Sequence, residues 1–161
     1  MEKRGLTLEI PGWGALRLEQ ALFDLNGTLA LEGNIPGSVR ERLQCLQDML
    51  AVHIVTADTH GTVDDLLQDC GNLKIARIEA GNEAGQKYAL LERLEASHTV
   101  AVGNGANDAL MLRKSCLGIC VMNGEGSATQ ALLASDVLVR SAEEALDLLL
   151  QPARLVATLR S

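Results

Sequence analysis

Short apolar runs and stretches of helical period alternate along this chain from residue 21 onward. Ahead of them, Leu6, Leu8 and Ile10 share one face at period two. Pro11-Gly12-Trp13-Gly14 makes a turn, and Ala15, Leu16 and Leu18 resume the run, so residues 6–19 are predicted to form a β-hairpin. Compact apolar runs at 21–25, 52–57, 73–79, 98–103, 117–122 and 136–140 read as strands. Between them lie helical patterns at 37–50, 61–68, 83–95, 106–114, 127–134 and 142–150. In the first of these, Val39, Leu43, Leu46 and Leu50 recur at near-helical spacing after a Pro36-Gly37 start. Strands that are apolar on both faces and alternate with helices imply a parallel sheet covered on each side. The expectation is a three-layer α/β fold with an N-terminal hairpin. No repeat, low-complexity tract or dividing linker interrupts 1–161, which therefore reads as a single domain.

Composition narrows the classes. A chain of 161 residues can bury roughly two thirds of its unfolded surface. Its apolar fraction is 47%, which excludes a disordered chain, yet its aromatics are limited to Trp13, Phe23 and Tyr88, so the core must be aliphatic. A net charge of −7 argues against nucleic acid and anionic membrane as partners, since both need a basic footprint. No signal-like h-region and no run of membrane-spanning length occurs. Cys45, Cys70, Cys116 and Cys120 form no CxxC pair and no zinc-type spacing, and read as free thiols in a reducing cytoplasm.

Candidate chemistry gathers where strands end. Ligands in open α/β sheets bind beyond the carboxyl ends of the strands. The run 21–25 leads into Asp24-Leu25-Asn26-Gly27-Thr28, the run 52–57 into Thr56-Ala57-Asp58, and 98–103 into Gly103-Asn104-Gly105-Ala106-Asn107-Asp108; Lys87 lies near the start of the helix at 83–95. These residue types suit phosphoryl transfer. A strand-end carboxylate, Asp24, can attack phosphorus. Gly27 permits a sharp turn that brings backbone amides to phosphate oxygens. Thr56 and Lys87 can hold the remaining oxygens, and Asp108 can complete an oxygen-rich Mg²⁺ site with Asp24.

In this order, FDLNGTLA (23–30), VTAD (55–58), Lys87 and GNGANDALML (103–112) resemble the four motifs of the haloacid dehalogenase-like (HAD) superfamily. Within it, the hairpin before DxNGTLA, the TADTxGT segment and the terminal P-x-RLxxTLR at 152–160 resemble small soluble proteins described as P-type-ATPase-like. The resemblance implies a Rossmann-like HAD fold and a Mg²⁺-dependent phosphatase or phosphotransferase acting through an aspartyl-phosphate on Asp24. It implies catalytic roles for Asp24, Asn26, Thr56 and Lys87, and phosphate contacts from Gly27, Thr56, Ala57, Lys87 and Asn107. Metal ligands would be Asp24, the Asn26 backbone carbonyl, Asn104 and Asp108. Core elements fill the stretches between motifs and leave no place for a cap domain. The cleft is then expected to be open to a phosphorylated small molecule or macromolecule, or covered by a partner subunit of a homo-oligomer.

Two positions depart from the usual pattern. Asn26 stands where HAD phosphatases carry an acid/base Asp, and a carboxamide cannot exchange a proton near neutral pH. P-type ATPases carry Thr there, which suits a long-lived aspartyl-phosphate. Asn104 replaces an Asp and removes one negative charge from the metal site. Slow hydrolysis is the expected consequence; a non-catalytic or regulatory phosphate- and Mg²⁺-binding module is the alternative. Several further residues have structural readings. Asp58 and Thr59 suit helix N-caps, His53 and His98 are structural, His60 could enter the pocket, and Trp13 either packs on the domain or meets a partner.

Overall fold

The computed structural model describes residues 5–58 and 61–161. Alternating Leu6, Leu8 and Ile10 build β1 (Leu6–Ile10), which pairs antiparallel with β2 (Gly14–Leu18) as a separate two-stranded sheet. The inner runs that follow carry no polar face and must be covered on both sides, whereas the two edge strands are only partly buried. Together these runs form β3 (Gln20–Asp24), β4 (Ala51–Thr56), β5 (Lys74–Arg77), β6 (Thr99–Gly103), β7 (Leu117–Val121) and β8 (Val137–Val139). Their order in the sheet is β5-β4-β3-β6-β7-β8, and every neighbouring pair is parallel.

Seven α-helices supply the covering layers among the described residues: α1 (Gly37–Leu46), α2 (Thr62–Leu67), α3 (Glu83–Arg93), α4 (Ala109–Lys114), α5 (Thr129–Ala134), α6 (Ala142–Leu150) and α7 (Pro152–Leu159). Strand period divides the core in two. Ala21 and Phe23 of β3 join Ile54, Val102 and Ile119 in a cluster closed by Leu43, Leu46, Val63, Leu146 and Leu155. Leu22, between them in sequence, joins Ala101 and Cys120 in the opposite cluster, closed by Leu90, Leu91 and Met111. The first cluster also takes Leu6, Ile10, Leu16 and Leu18, so the hairpin packs on the domain, and Trp13 packs there too rather than standing free. Phe23 is fully buried; the rest of both cores is essentially aliphatic, with the thiols of Cys70 and Cys120 among it. All four cysteines are free. Among the described residues, no helix is long and apolar enough to cross a membrane.

Three expectations change. The chain ends in a further helix, α7, that the pattern reading did not predict: Gln151 leaves helical geometry (φ −125°, ψ 73°), and Pro152 then starts a new helix, where its missing N–H costs nothing. The helix predicted over 106–114 opens as a 3₁₀ turn over Ala106–Asp108 before α4 begins. Asp58 is not the N-cap of α2. Gly61 holds that position in the left-handed region (φ 72°), and Asp58 instead accepts a hydrogen bond from the Thr62 hydroxyl at 2.9 Å. The capping and pocket roles expected of Thr59 and His60 fall outside the described residues.

At the end of β6, Gly103 allows a close approach that no other residue could. A Cβ built there would lie 2.5 Å from Asp108 Cγ and 2.6 Å from its Oδ2. Asp108 is itself immobilised, so Gly103→Ala is expected to destabilise the protein by about 1–3 kcal/mol through overpacking. A urea midpoint unchanged from wild type would contradict this.

Candidate active site at the carboxyl ends of the central strands

From β3 the chain runs outward to β4 and β5, then returns to place β6 on the other side of β3. That reversal leaves a crevice beyond the ends of β3, β4 and β6, the usual ligand position in such sheets. An open cleft of about 540 Å³ occupies it, lined by Asp24, Asn26, Thr56, Ala57, Asp58, Glu83, Lys87, Asn104, Gly105 and Asn107.

Lys87 is the electrostatic centre. It sits one turn into α3, 3% exposed, and its ammonium donates to Asp24 Oδ1 at 2.9 Å, Asp108 Oδ1 at 2.7 Å and Asn107 Oδ1 at 3.2 Å. Burial by itself favours a neutral amine. Attraction first from Asp24 and then from Asp108 outweighs it and holds the Lys87 pKa above the ordinary lysine value. Asp24 responds in the opposite sense. Its burial, and secondly the negative charge of Asp108, raise its pKa to about 7, against the opposing pull of Lys87 and Thr28.

Asp108 lies behind the cleft, fully buried, with Oδ2 accepting the backbone N–H groups of Asn104 (3.0 Å) and Gly105 (2.9 Å). It thereby shapes the loop after β6 and anchors Lys87 in one stroke. On the other side, the Thr28 hydroxyl lies 3.2 Å from Asp24 Oδ2 and 3.1 Å from Asn104 Oδ1. Its single proton serves one of these oxygens at a time.

Gly27 adopts φ +82° and is buried, and a Cβ there would fall 2.7 Å from Asn104 Nδ2. Its own N–H, however, donates to the Ala30 carbonyl at 2.8 Å. The glycine therefore makes the turn, but its amide is committed inside the loop and does not point a free donor at a ligand. A phosphate contact expected at Gly27 would therefore not come from its own N–H. Thr56 ends β4, 2% exposed, and accepts the Asp58 N–H at 3.1 Å, which leaves its hydroxyl proton for another oxygen. Ala57 follows it on the cleft wall, and Asn26 lies exposed at the rim.

Two residues in or just behind this cleft were not singled out from sequence. Thr28 joins Asp24 to Asn104, and Glu83 accepts a 2.6 Å hydrogen bond from Asn107 Nδ2. Glu83 precedes Lys87 by four residues, a spacing that places both on one helix face and that could have flagged it. His53 is remote in role: its Nε2 lies 2.8 Å from Gln20 Oε1 at the start of β3.

Comparisons with known proteins agree with this architecture. A family model for haloacid dehalogenase-like hydrolases matches residues 6–115. An uncharacterized protein of Methanocaldococcus jannaschii is 41% identical over 92 residues, covering 55% of this chain and 99% of that protein. A soluble P-type ATPase-like phosphatase of the same organism is 25% identical over 140 residues, which is 85% of this chain and 51% of that protein, so the chain spans about half of that relative. The fold is shared with 3-deoxy-D-manno-octulosonate 8-phosphate phosphatase of Moraxella catarrhalis, solved with magnesium, phosphate and KDO. There the TM-score is 0.69 and the identity 20%, over 89% of this chain and 94% of the other. The family match takes in all three strand-end segments and Lys87, and the chain belongs to the haloacid dehalogenase-like hydrolases.

Proposed function

We propose that this chain is a slow Mg²⁺-dependent phosphomonoesterase that works through an aspartyl-phosphate on Asp24. The observation that carries the reading is the buried Lys87 ammonium held between Asp24 and Asp108 at the floor of an open cleft. A carboxylate so placed is oriented for attack and shielded from bulk water.

The donor set suits magnesium, which takes oxygen ligands and keeps several waters. Asp24 and the Asn104 carbonyl oxygen both border the Thr28 hydroxyl, and the Asn26 backbone carbonyl follows on the same loop. Among the described residues no group of three His, Cys, Asp or Glu side chains forms a cluster that could hold a metal. The site would rest instead on one carboxylate, an amide oxygen, a backbone carbonyl and water. Asp108, enclosed by two backbone amides and Lys87, supports that set from behind, a positioning role in place of the direct ligation expected from the motif. When bound, Mg²⁺ offsets the repulsion between the Asp24 carboxylate and phosphate oxygens.

An Asp24 oxygen attacks phosphorus, the bond from phosphorus to the ester oxygen breaks, and its electron pair leaves with the alcohol. Thr56 and the Ala57 amide hold the phosphoryl oxygens, and the positive charge of Lys87 beside Asp24 offsets theirs without a direct hydrogen bond. Water then attacks the phosphorus of the aspartyl-phosphate and restores the carboxylate. Asn26 supplies no proton to either step, so both draw on solvent.

The experiment is hydrolysis of p-nitrophenyl phosphate with Mg²⁺ by wild type beside Asp24→Asn. Turnover is expected to fall to background in the variant; equal rates would overturn the reading. A second reading, a phosphate-binding regulatory module, is favoured by the loss of carboxylates at Asn26 and Asn104. Phosphate and Mg²⁺ binding without Asp24-dependent turnover would select it.

A further inference from the structure

We propose that Glu83 makes this cleft selective for phosphate esters of neutral or cationic alcohols, and against esters whose leaving group carries a carboxylate or a second phosphate. The proposal rests on the reading of the cleft as a phosphatase site.

Among the described residues, the charged side chains lining the cleft are Asp24, Asp58, Glu83 and Lys87. The single cation among them is spent inward, on Asp24 and Asp108. Nothing cationic on the described walls is therefore left to receive an anionic leaving group. Glu83 is half-buried, whereas Asp24 and Lys87 are buried, so its carboxylate stands toward the mouth. It is also held there. Asn107 donates from Nδ2 to Glu83 Oε2 at 2.6 Å and accepts from Lys87 on Oδ1 at 3.2 Å, so the amide is clamped between two opposite charges. Glu83 is the first residue of the eleven-residue helix α3.

Geometry brings the leaving group to this charge. In-line displacement sends the alcohol away from the attacking Asp24 oxygen, out of the floor and toward the mouth. A carboxylate or second phosphate on that alcohol would approach Glu83, while an ammonium would be attracted to it. An octulosonate ester thus falls in the disfavoured class, although the fold is shared with an enzyme solved with KDO. Removing one charge in a partly hydrated cleft changes the preference between neutral and anionic esters by about three- to tenfold at low salt.

The test uses two readouts. Calorimetric binding of ethanolamine phosphate, glycerol 3-phosphate and phosphoglycolate to the Asp24→Asn protein with Mg²⁺ needs no turnover; kcat/KM for the same esters is measured on wild type. Phosphoglycolate is expected to bind most weakly. Glu83→Gln, which keeps an acceptor for Asn107, should narrow the ratio between glycerol 3-phosphate and phosphoglycolate by about three- to tenfold. Glu83→Lys should invert it, and high salt should narrow it in the Glu83 protein more than in the Gln variant. A ratio unchanged by Glu83→Gln and by salt overturns the proposal, as does equal binding of all three esters or binding of none. Selective binding without Asp24-dependent turnover would leave the proposal standing and overturn the phosphatase reading. Turnover without selectivity would do the reverse.

Discussion

Asn26→Asp is expected to raise turnover of an alkyl phosphate monoester by about 10²–10⁴-fold, the usual worth of a positioned general acid/base. Asn26 lies exposed at the rim of the cleft, two residues beyond Asp24, so a carboxyl group there meets solvent and fits without displacing a packed neighbour. The Asp24 loop keeps its shape in the variant, because its turn is made by backbone bonds: Gly27 N–H to the Ala30 carbonyl, and the Leu29 and Ala30 N–H groups to the Leu25 carbonyl. The gain should depend on the substrate. An alkyl alkoxide leaves poorly without a proton, whereas p-nitrophenolate leaves without help. The alkyl ester therefore profits in both steps and the aryl ester chiefly in hydrolysis of the aspartyl-phosphate. Steady-state rates for both esters, with Asp24→Asn added in the same background, check this. A gain that survives loss of Asp24 would place the chemistry elsewhere, and no gain would mean that phosphate or Mg²⁺ is not held in register.

Lys87→Met should be the most damaging single substitution to the metal-free fold, at about 3–5 kcal/mol near neutral pH. The side chain is nearly isosteric, so little packing is lost. What remains is Asp24 and Asp108, two buried carboxylates that have lost the cation between them. The sign of the pH dependence follows from Asp24. Its pKa in the folded protein, about 7, already exceeds the unfolded value of 3.8, so ionising it costs stability as pH rises between the two. Without Lys87, which pulls that pKa down, the folded value rises further. The deficit of the variant therefore grows as pH climbs through 7 and shrinks below it, where Asp24 is protonated in both folded proteins. Urea unfolding in EDTA on either side of pH 7 measures the trend. Adding Asp24→Asn to Lys87→Met should recover part of the loss, since one of the opposed charges is then gone. A deficit independent of pH would show that packing, not charge, was lost.

Much of this was legible in the sequence. The order of strands and helices was readable because the period of apolar positions is a local property, present within five to ten residues. The strand-end positions of Asp24 and Thr56, and the place of Asp108 just beyond β6, were readable for the same reason. The last helix was missed because its signal lies in a break, where Gln151 leaves helical geometry and Pro152 restarts it, and apolar periodicity runs through both sides. The role of Gly27 was half legible. A glycine in a loop announces a turn, but only the folded loop shows that its N–H is taken by Ala30. Thr28 and Glu83 escaped because their importance lies in their partners. A threonine after a glycine and a glutamate opening a helix are ordinary until Asn104 and Asn107 arrive from the loop and 3₁₀ turn after β6.

Net charge shows the same division at larger scale. The value of −7 is a sum over the whole chain. Among the described cleft residues the one cation is Lys87, and its meaning depends on which carboxylates it meets. By itself the sequence determined the layers, the strand ends and the kinds of functional group available there, since each is written in a few consecutive residues. Only the tertiary structure decided that Lys87 is spent on Asp24, 63 residues away, and on Asp108, so that Glu83 meets no cation among the described cleft residues. Coulombic and hydrogen-bond energies depend on distances in space, and no local pattern encodes them across parallel strands joined by long crossovers.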